Sequence, residues 1–300
     1  MGNTRILACE FDYLQPMTVG EAVDLMARYG DRGNILAGGT DLFVLMKMGR
    51  AAPEVVVDIR RIAGLQSLNG QDGLSIGAAT RIRSVECSAK VAQKYTALSE
   101  AAAQLGSLQI RNMATICGNV CSASPAADSP PALLVFDAQA EIVGPSGERV
   151  VPLDQFFVGS RKTVLAHDEL LTRIVLPEPV PGLSSAFLKI SRVATDIAAL
   201  NAAVALKRDE GCIRSCRIAL GSVARTPIRS RRAEEALEGQ PYSMDLIEHV
   251  STLASMEVQL SKRARLGRST SEYRRIAVKS LVKDAIQMAW KRSSGERGEQ

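Results

Sequence analysis

Apolar positions along the chain recur at helical and strand periods in turn, and the switches between them mark the elements. Thr18 followed by Glu21 makes a capping box ahead of Ala22, Leu25, Met26 and Tyr29 at helical spacing, and Gly30 stops that helix. Residues 34–37 read as a short strand running into Gly38-Gly39-Thr40-Asp41, after which residues 42–48 can be helical. The β-branched run 55–59 suits a buried strand, and Leu74 and Ile76 alternate ahead of Gly77 in another. Residues 96–105 form an alanine-rich helix ended by Gly106. Residues 107–129 then carry small and polar side chains with little period, and so long a structureless segment inside a compact domain is usually functional. Strands return at 138–143 and 148–151 around Gly144-Pro145-Ser146-Gly147, and again at 170–176.

Pro177-Glu178-Pro179-Val180-Pro181-Gly182 is the strongest breaker cluster and sets the expected domain boundary. Beyond it, residues 187–192, 198–208 and 212–223 read as three strands, the last two joined at Asp209-Glu210-Gly211. Ser243 can cap a helix with Leu246, Val250, Leu253 and Ala254 on one face. Ser269 with Glu272 makes a capping box before Val278, Leu281, Val282, Ala285 and Ala289, and residues 291–300 read as a polar, frayed tail.

Composition narrows the picture without changing it. A length of 300 residues favours two domains, and 46% hydrophobic with 23% charged residues is the balance of a folded globular chain. The apolar runs are too short to cross a bilayer, no signal-type hydrophobic region opens the sequence, and a cytoplasmic address is expected. Six cysteines are then reduced thiols, and two histidines, His167 and His249, leave little material for a histidine-rich metal site or a catalytic triad. Residues 207–300 hold 19 Lys/Arg against 12 Asp/Glu, whereas residues 1–206 hold 18 against 20. Aromatics for base stacking are scarce there, so a solvated or protein-docking face is expected rather than a nucleic-acid site.

Two loops can carry chemistry. In Ala37-Gly38-Gly39-Thr40-Asp41, consecutive glycines between strand and helix let backbone N–H groups approach a phosphate, although an ordinary tight turn capped by Thr40 or Asp41 reads equally from the same residues. In Thr115-Ile116-Cys117-Gly118-Asn119, followed by Ser122, Ser124 and Asp128, dense donors and acceptors can wrap a polar cofactor or cap the loop itself. The pairs Cys117/Cys121 and Cys212/Cys216 have a spacing open to metal, but small buried residues explain them better; on a strand, Cys212 and Cys216 would share a face.

These loops, in this order, resemble the FAD-binding medium subunit of the molybdenum hydroxylases, the xanthine dehydrogenase and carbon monoxide dehydrogenase family. The resemblance runs nearly end to end and rests on Leu36-Ala37-Gly38-Gly39-Thr40-Asp41-Leu42, Gln109-Ile110-Arg111-Asn112, Thr115-Ile116-Cys117-Gly118-Asn119, Ala123-Ser124-Pro125-Ala126-Ala127-Asp128, Ser185-Ala186-Phe187-Leu188-Lys189 and Glu272-Tyr273-Arg274-Arg275. It implies an α+β fold: a two-lobed FAD-binding domain of the vanillyl-alcohol-oxidase (PCMH) type over residues 1–177, with lobes of about 1–60 and 61–177, then a domain of antiparallel sheet plus helices over 183–290. By the same resemblance Leu36 to Asp41 and Thr115 to Asn119 grip the FAD pyrophosphate. Leu105, Gly106, Ser124 and Asp128 approach the ribityl or adenosine portion, Leu176 belongs to the site, and Lys189 lies near the flavin ring. Cys117 stands where the family usually has glycine; if the position needs positive φ or very close phosphate approach, cysteine there would cost about 1 kcal/mol or more. The implied function is electron transfer within a heteromer, and the implied assembly is a dimer of heterotrimers. A small subunit would carry [2Fe-2S] clusters and a large one the molybdopterin cofactor, with FAD alone on this chain and an external acceptor such as NAD. A free-standing FAD oxidase or reductase of the same fold is the alternative.

Overall fold

The β-branched run becomes the centre of a parallel sheet. Val55–Asp58, buried at every position, lies between Asp12–Leu14 and Gly33–Leu36, both parallel to it. This computed structural model describes residues 7, 9–259 and 270–294. Helix Val19–Tyr29 crosses between the outer strands and packs Ala22, Val23 and Met26 into the core with Val55 and Val57. Its capping box forms as the sequence requires: Thr18 Oγ1 accepts from the Glu21 N–H at 3.1 Å, and Glu21 accepts from the Met17 N–H at 2.7 Å. Helices Ile82–Glu86 and Ala89–Lys94, by contrast, are each too short to show a period.

A five-stranded antiparallel sheet follows, with Leu170–Pro177 at its centre between Gly73–Gly77 and Gln139–Gly144, and with Leu68–Asn69 and Gly147–Pro152 at the edges. Helix Thr96–Ala103 ends ahead of Gly106, which takes φ 53°. The segment expected to lack structure contains helices Leu108–Arg111 and Ile116–Cys121 and, at its end, the start of Ser129–Leu134. Four to six residues per helix is less than two turns, so no hydrophobic stripe could appear.

The third sheet is antiparallel in the order Leu183–Ile190, Leu200–Asp209, Cys212–Gly221 and Ile228–Arg229. One face packs Leu200, Val204, Leu206 and Ile218 against helices Met244–Met256 and Ser271–Ser293. Phe187, Ala203, Ala205 and Ala219 face the other way and join the large core of the N-terminal part. A strand covered on both sides reads as a continuous apolar run, as residues 202–206 do. Polar ties reinforce the junction: Ser185 Oγ accepts from the Ala97 N–H at 3.0 Å, and Glu100 accepts from the Phe187 N–H at 2.8 Å and pairs with Arg292.

Four details correct the sequence reading. Helix Ser271–Ser293 starts from Thr270, whose hydroxyl accepts from the Tyr273 N–H, whereas Ser269 lies outside the described residues. Residues 291–293 belong to that helix rather than to a frayed tail, because Arg292 is held by Glu100 and by the Ser185 carbonyl; residues 295–300 lie outside the described residues. The strand expected at 187–192 instead covers Leu183–Ile190, and the chain then loops until Leu200. A bulge makes Lys207 oppose Ser215 but Arg208 oppose Ile213, which places Ile213, not Cys212, beside buried Cys216. His167 and His249 are both exposed, and no helix among the described residues is long and apolar enough to cross a membrane.

Asp58, at the end of the central parallel strand, is 1% exposed and is the hub of a polar cluster. Its carboxylate accepts a bidentate pair from the Arg60 guanidinium at 2.8 and 2.8 Å, the Arg60 N–H at 3.0 Å, and the Tyr13 hydroxyl. Burial pushes its pKa up, but these donors, with Gln15, outweigh burial and hold it well below the ordinary 3.8. A depressed carboxylate stabilises the fold above its unfolded-state value and loses that contribution as pH falls through the folded-state value. Asp58→Asn is therefore expected to cost about 2 kcal/mol at neutral pH. In urea titrations the gap from the parent chain should persist down to about pH 4 and close at lower pH; a gap that widens in acid would contradict the assignment.

Candidate functional site

One cavity of about 720 Å³ opens where the parallel sheet, the 105–128 segment and the antiparallel sheet meet, which is the size of a cofactor site. The strand Gly33–Leu36 delivers the first wall, since the chain leaving it turns through Gly38 to Asp41 before helix Leu42–Lys47. Two glycines make this turn possible. A Cβ on Gly38 would lie 2.5 Å from the Met113 carbonyl oxygen and 2.7 Å from Ala114 Cα, so the two loops touch backbone to backbone. Gly39 has φ +73°, and a Cβ there would lie 2.9 Å from Leu36 Cδ1 and Phe43. Among the described residues, the N–H groups of Gly38 to Asp41 meet no protein acceptor.

The second loop is partly self-capped and partly wall. Thr115 Oγ1 accepts from the Gly118 N–H at 3.0 Å and starts helix Ile116–Cys121, while Asn119 Oδ1 accepts from Ser129 Oγ at 2.6 Å. Cys117 sits inside this helix without positive φ, so the cost tied to a left-handed backbone does not arise. Its thiol is buried, contacts the Ile76 carbonyl at 3.6 Å, and has its pKa pushed far up by burial, which keeps it neutral. Ser124 Oγ accepts weakly from the Ala126 N–H at 3.4 Å. Asp128 accepts from Lys189 Nζ at 2.7 Å and from Asn201 Nδ2 at 2.9 Å. Burial raises the Asp128 carboxyl above its ordinary value, and the Lys189 charge and hydrogen bonds offset part of that rise.

Of the residues singled out from the sequence, Ala37, Gly38, Gly39, Thr40, Asp41, Leu105, Gly106, Thr115, Cys117, Gly118, Asn119, Ser124 and Asp128 line the cavity. Leu36, Ile116 and Leu176 stand behind the wall in the cores, and Lys189 reaches it through Asp128. Sequence reasoning missed Ile35, Ile59, Leu170 and Leu171, which read as ordinary core residues, and the loop bearing Thr195 and Ile197. It also missed Arg161, a lining residue with φ 58° in the hairpin between Phe157–Gly159 and Lys162–Thr163, where the Arg161 N–H donates to the Ala123 carbonyl at 2.9 Å.

Residues 9–179 match the family described as FAD binding domain in molybdopterin dehydrogenase. The chain belongs to that family. Residues 185–289 match the CO dehydrogenase flavoprotein C-terminal domain. The chain is 32% identical to the carbon monoxide dehydrogenase medium chain of Hydrogenophaga pseudoflava, over 94% of this chain and 98% of the relative. It is also 32% identical to the xanthine dehydrogenase FAD-binding subunit of Escherichia coli O157:H7, over 95% of this chain and 97% of the relative. The solved structure of carbon monoxide dehydrogenase from Hydrogenophaga pseudoflava lacking the Mo-pyranopterin moiety of its cofactor superposes with a TM-score of 0.90 at 32% identity, covering 94% of this chain and 98% of that one. The chain is thus a flavoprotein subunit of this oxidoreductase family, and FAD is its cofactor.

The cavity fits that group. Unpaired N–H groups at Gly38 to Asp41 suit a pyrophosphate, apolar walls such as Ile35, Ile59 and Leu171 suit flat rings, and the carboxylate of Asp128 keeps acceptor capacity for a hydroxyl. Gly38→Ala tests the backbone contact that shapes it. With a 2.5 Å clash against a carbonyl oxygen, one loop must move, and about 1–3 kcal/mol of stability should be lost. Thermal unfolding with and without FAD checks this, since the variant should also lose the stabilisation that added FAD gives the parent chain.

Proposed function

We propose that this chain is the electron-transfer subunit of a heteromeric molybdenum hydroxylase, accepting electrons from iron–sulfur clusters on a small partner and passing them to an external acceptor such as NAD. The observation that carries the reading is the cavity itself: a built wall of glycine-turn backbone, polar loop residues and apolar faces that brings both motif loops together, with the Cys117 thiol in it kept neutral by burial. FAD, when bound, supplies a centre that exchanges electrons one or two at a time, and this chain's residues hold it and exclude water from one side. Substrate oxidation then belongs to a large molybdopterin-bearing partner. Relatives equally similar to this chain carry names with different substrates, carbon monoxide and xanthine, which supports placing substrate choice on another chain.

We further propose that Gly38 to Asp41 and Thr115 to Asn119 hold the pyrophosphate, and that Ser124 and Asp128 hold hydroxyls of the ribityl or adenosine portion. Gly39→Val places a branched side chain at φ +73° against Leu36 and Phe43. The purified variant should keep its circular dichroism but lose the yellow flavin absorbance of the parent chain; stoichiometric FAD in that variant would falsify the pyrophosphate assignment.

The heteromer reading has its own test. The isolated chain should bind FAD but leave it oxidised when mixed anaerobically with an aldehyde or an N-heterocycle, and co-expression with iron–sulfur and molybdenum subunits should restore reduction by the substrate of that complex. Rapid flavin bleaching by such a substrate with this chain alone would favour a free-standing oxidase instead.

A further inference from the structure

Five charged residues line the cavity among the described residues: the acids Asp41, Asp128, Glu169 and Asp196, and one cation, Arg161. Three of the acids already have a cation, with Lys189 2.7 Å from Asp128, Arg149 2.7 Å from Glu169 and Arg192 3.0 Å from Asp196. Arg161 is exposed, and its guanidinium meets no carboxylate and no other acceptor among the described residues. Its backbone is held in a left-handed turn, at φ 58°, between Phe157–Gly159 and Lys162–Thr163. The Arg161 N–H donates at 2.9 Å to the carbonyl of Ala123, which is itself left-handed at φ 44°. Ala123 stands between two lining residues, Ser122 and Ser124, so this hydrogen bond plants the arginine at the cavity wall. Left-handed backbone in residues other than glycine is costly and gathers at ligand sites, where the surrounding structure enforces it. The turn itself does not ask for arginine, because glycine takes this conformation without strain.

We propose that Arg161 is a cofactor-binding residue whose guanidinium pairs with the diphosphate of FAD, the group of that molecule that carries charge at neutral pH. The proposal rests on the reading above that this cavity holds FAD. Backbone N–H groups at Gly38 to Asp41 can accept an anion, but they bring no net charge to balance it. Asp41 adds to the need: it lines the same wall, caps no N–H of helix Leu42–Lys47 with its carboxylate and has no ion pair among the described residues. A diphosphate beside that turn meets a negative side chain unless a cation is present. Arg161 supplies the cation, and its planar fork of donors matches two phosphate oxygens at once. Its anchor agrees with this role, since Ala123 follows directly on the helix that Thr115 starts and that carries Gly118 and Asn119. The other acids of the wall do not compete for Arg161, because each of them has its own partner.

The test uses the full chain freed of cofactor, as parent and as Arg161→Gly, Arg161→Asn and Arg161→Lys. FAD and riboflavin are titrated by flavin fluorescence, ADP by displacement of FAD, and each cofactor-free protein is melted. Glycine and asparagine both tolerate positive φ, so those two variants should melt as the parent does and isolate the loss of the charge. Each should bind FAD and ADP about 10-fold more weakly, the scale of one hydrogen-bonded charge contact. Riboflavin, which has no phosphate, should bind all four proteins alike, and Arg161→Lys should recover part of the FAD affinity. Added salt should weaken FAD binding more in the parent than in Arg161→Gly, because the variant lacks one attraction for salt to screen. Unchanged FAD and ADP affinity in a folded Arg161→Gly or Arg161→Asn would overturn the proposal and leave Arg161 a turn residue. An equal loss for riboflavin would overturn it too, by showing a disturbed wall rather than a missing charge. A parent chain that takes up no FAD would instead overturn the cavity reading, and this assignment with it.

Discussion

The backbone contact between Gly38 and the Met113–Ala114 segment sets the geometry on which the rest depends. A turn from the parallel sheet and a loop from the antiparallel part approach until even one carbon atom would not fit between them. Because main chain rather than side chains makes the contact, its tolerance is small, and neither wall can shift without the other. Among the described residues the N–H groups of Gly38 to Asp41 meet no protein acceptor, and all four residues line the cavity.

Around this contact the protein divides labour between backbone and side chains. In the proposed site, anion binding would fall largely to N–H groups, which carry no flexible stem, and orientation of hydroxyls to Asp128 and its neighbours. Two of the carboxylates lining the cavity are paired from outside it, Glu169 by Arg149 at 2.7 Å and Asp128 by Lys189 at 2.7 Å, which offsets their charge while leaving them acceptors. Cys117 adds a thiol that fills helix-side core space and stays neutral.

The C-terminal sheet is more than a second domain set beside the first. Its inner face supplies Phe187, Ala203 and Ala219 to the large core, its first strand is tied to helix Thr96–Ala103 through Ser185 and Glu100, and its last helix returns Arg292 to the same glutamate. Helix Ser271–Ser293 therefore runs past the point where composition alone reads as a tail, because a tertiary partner holds its end.

The sequence by itself determined what local chemistry can specify. The capping box at Thr18, the stops at Gly30 and Gly106, the β-branched central strand, the turn at Gly144–Gly147, and the two loops that build the cavity were all legible, because each depends on residues a few positions apart. The family's motifs added the order in which those loops act. Only the tertiary structure decided which core residues also line the cavity, as Ile59 and Leu171 do. It decided the face of Cys212 through a bulge, the short helices within 107–129, and the row that ties Lys189 to Asp128 across 61 positions of chain. These depend on what folds against a residue from far along the chain, and burial, register and pairing at that range leave no periodic trace in the sequence.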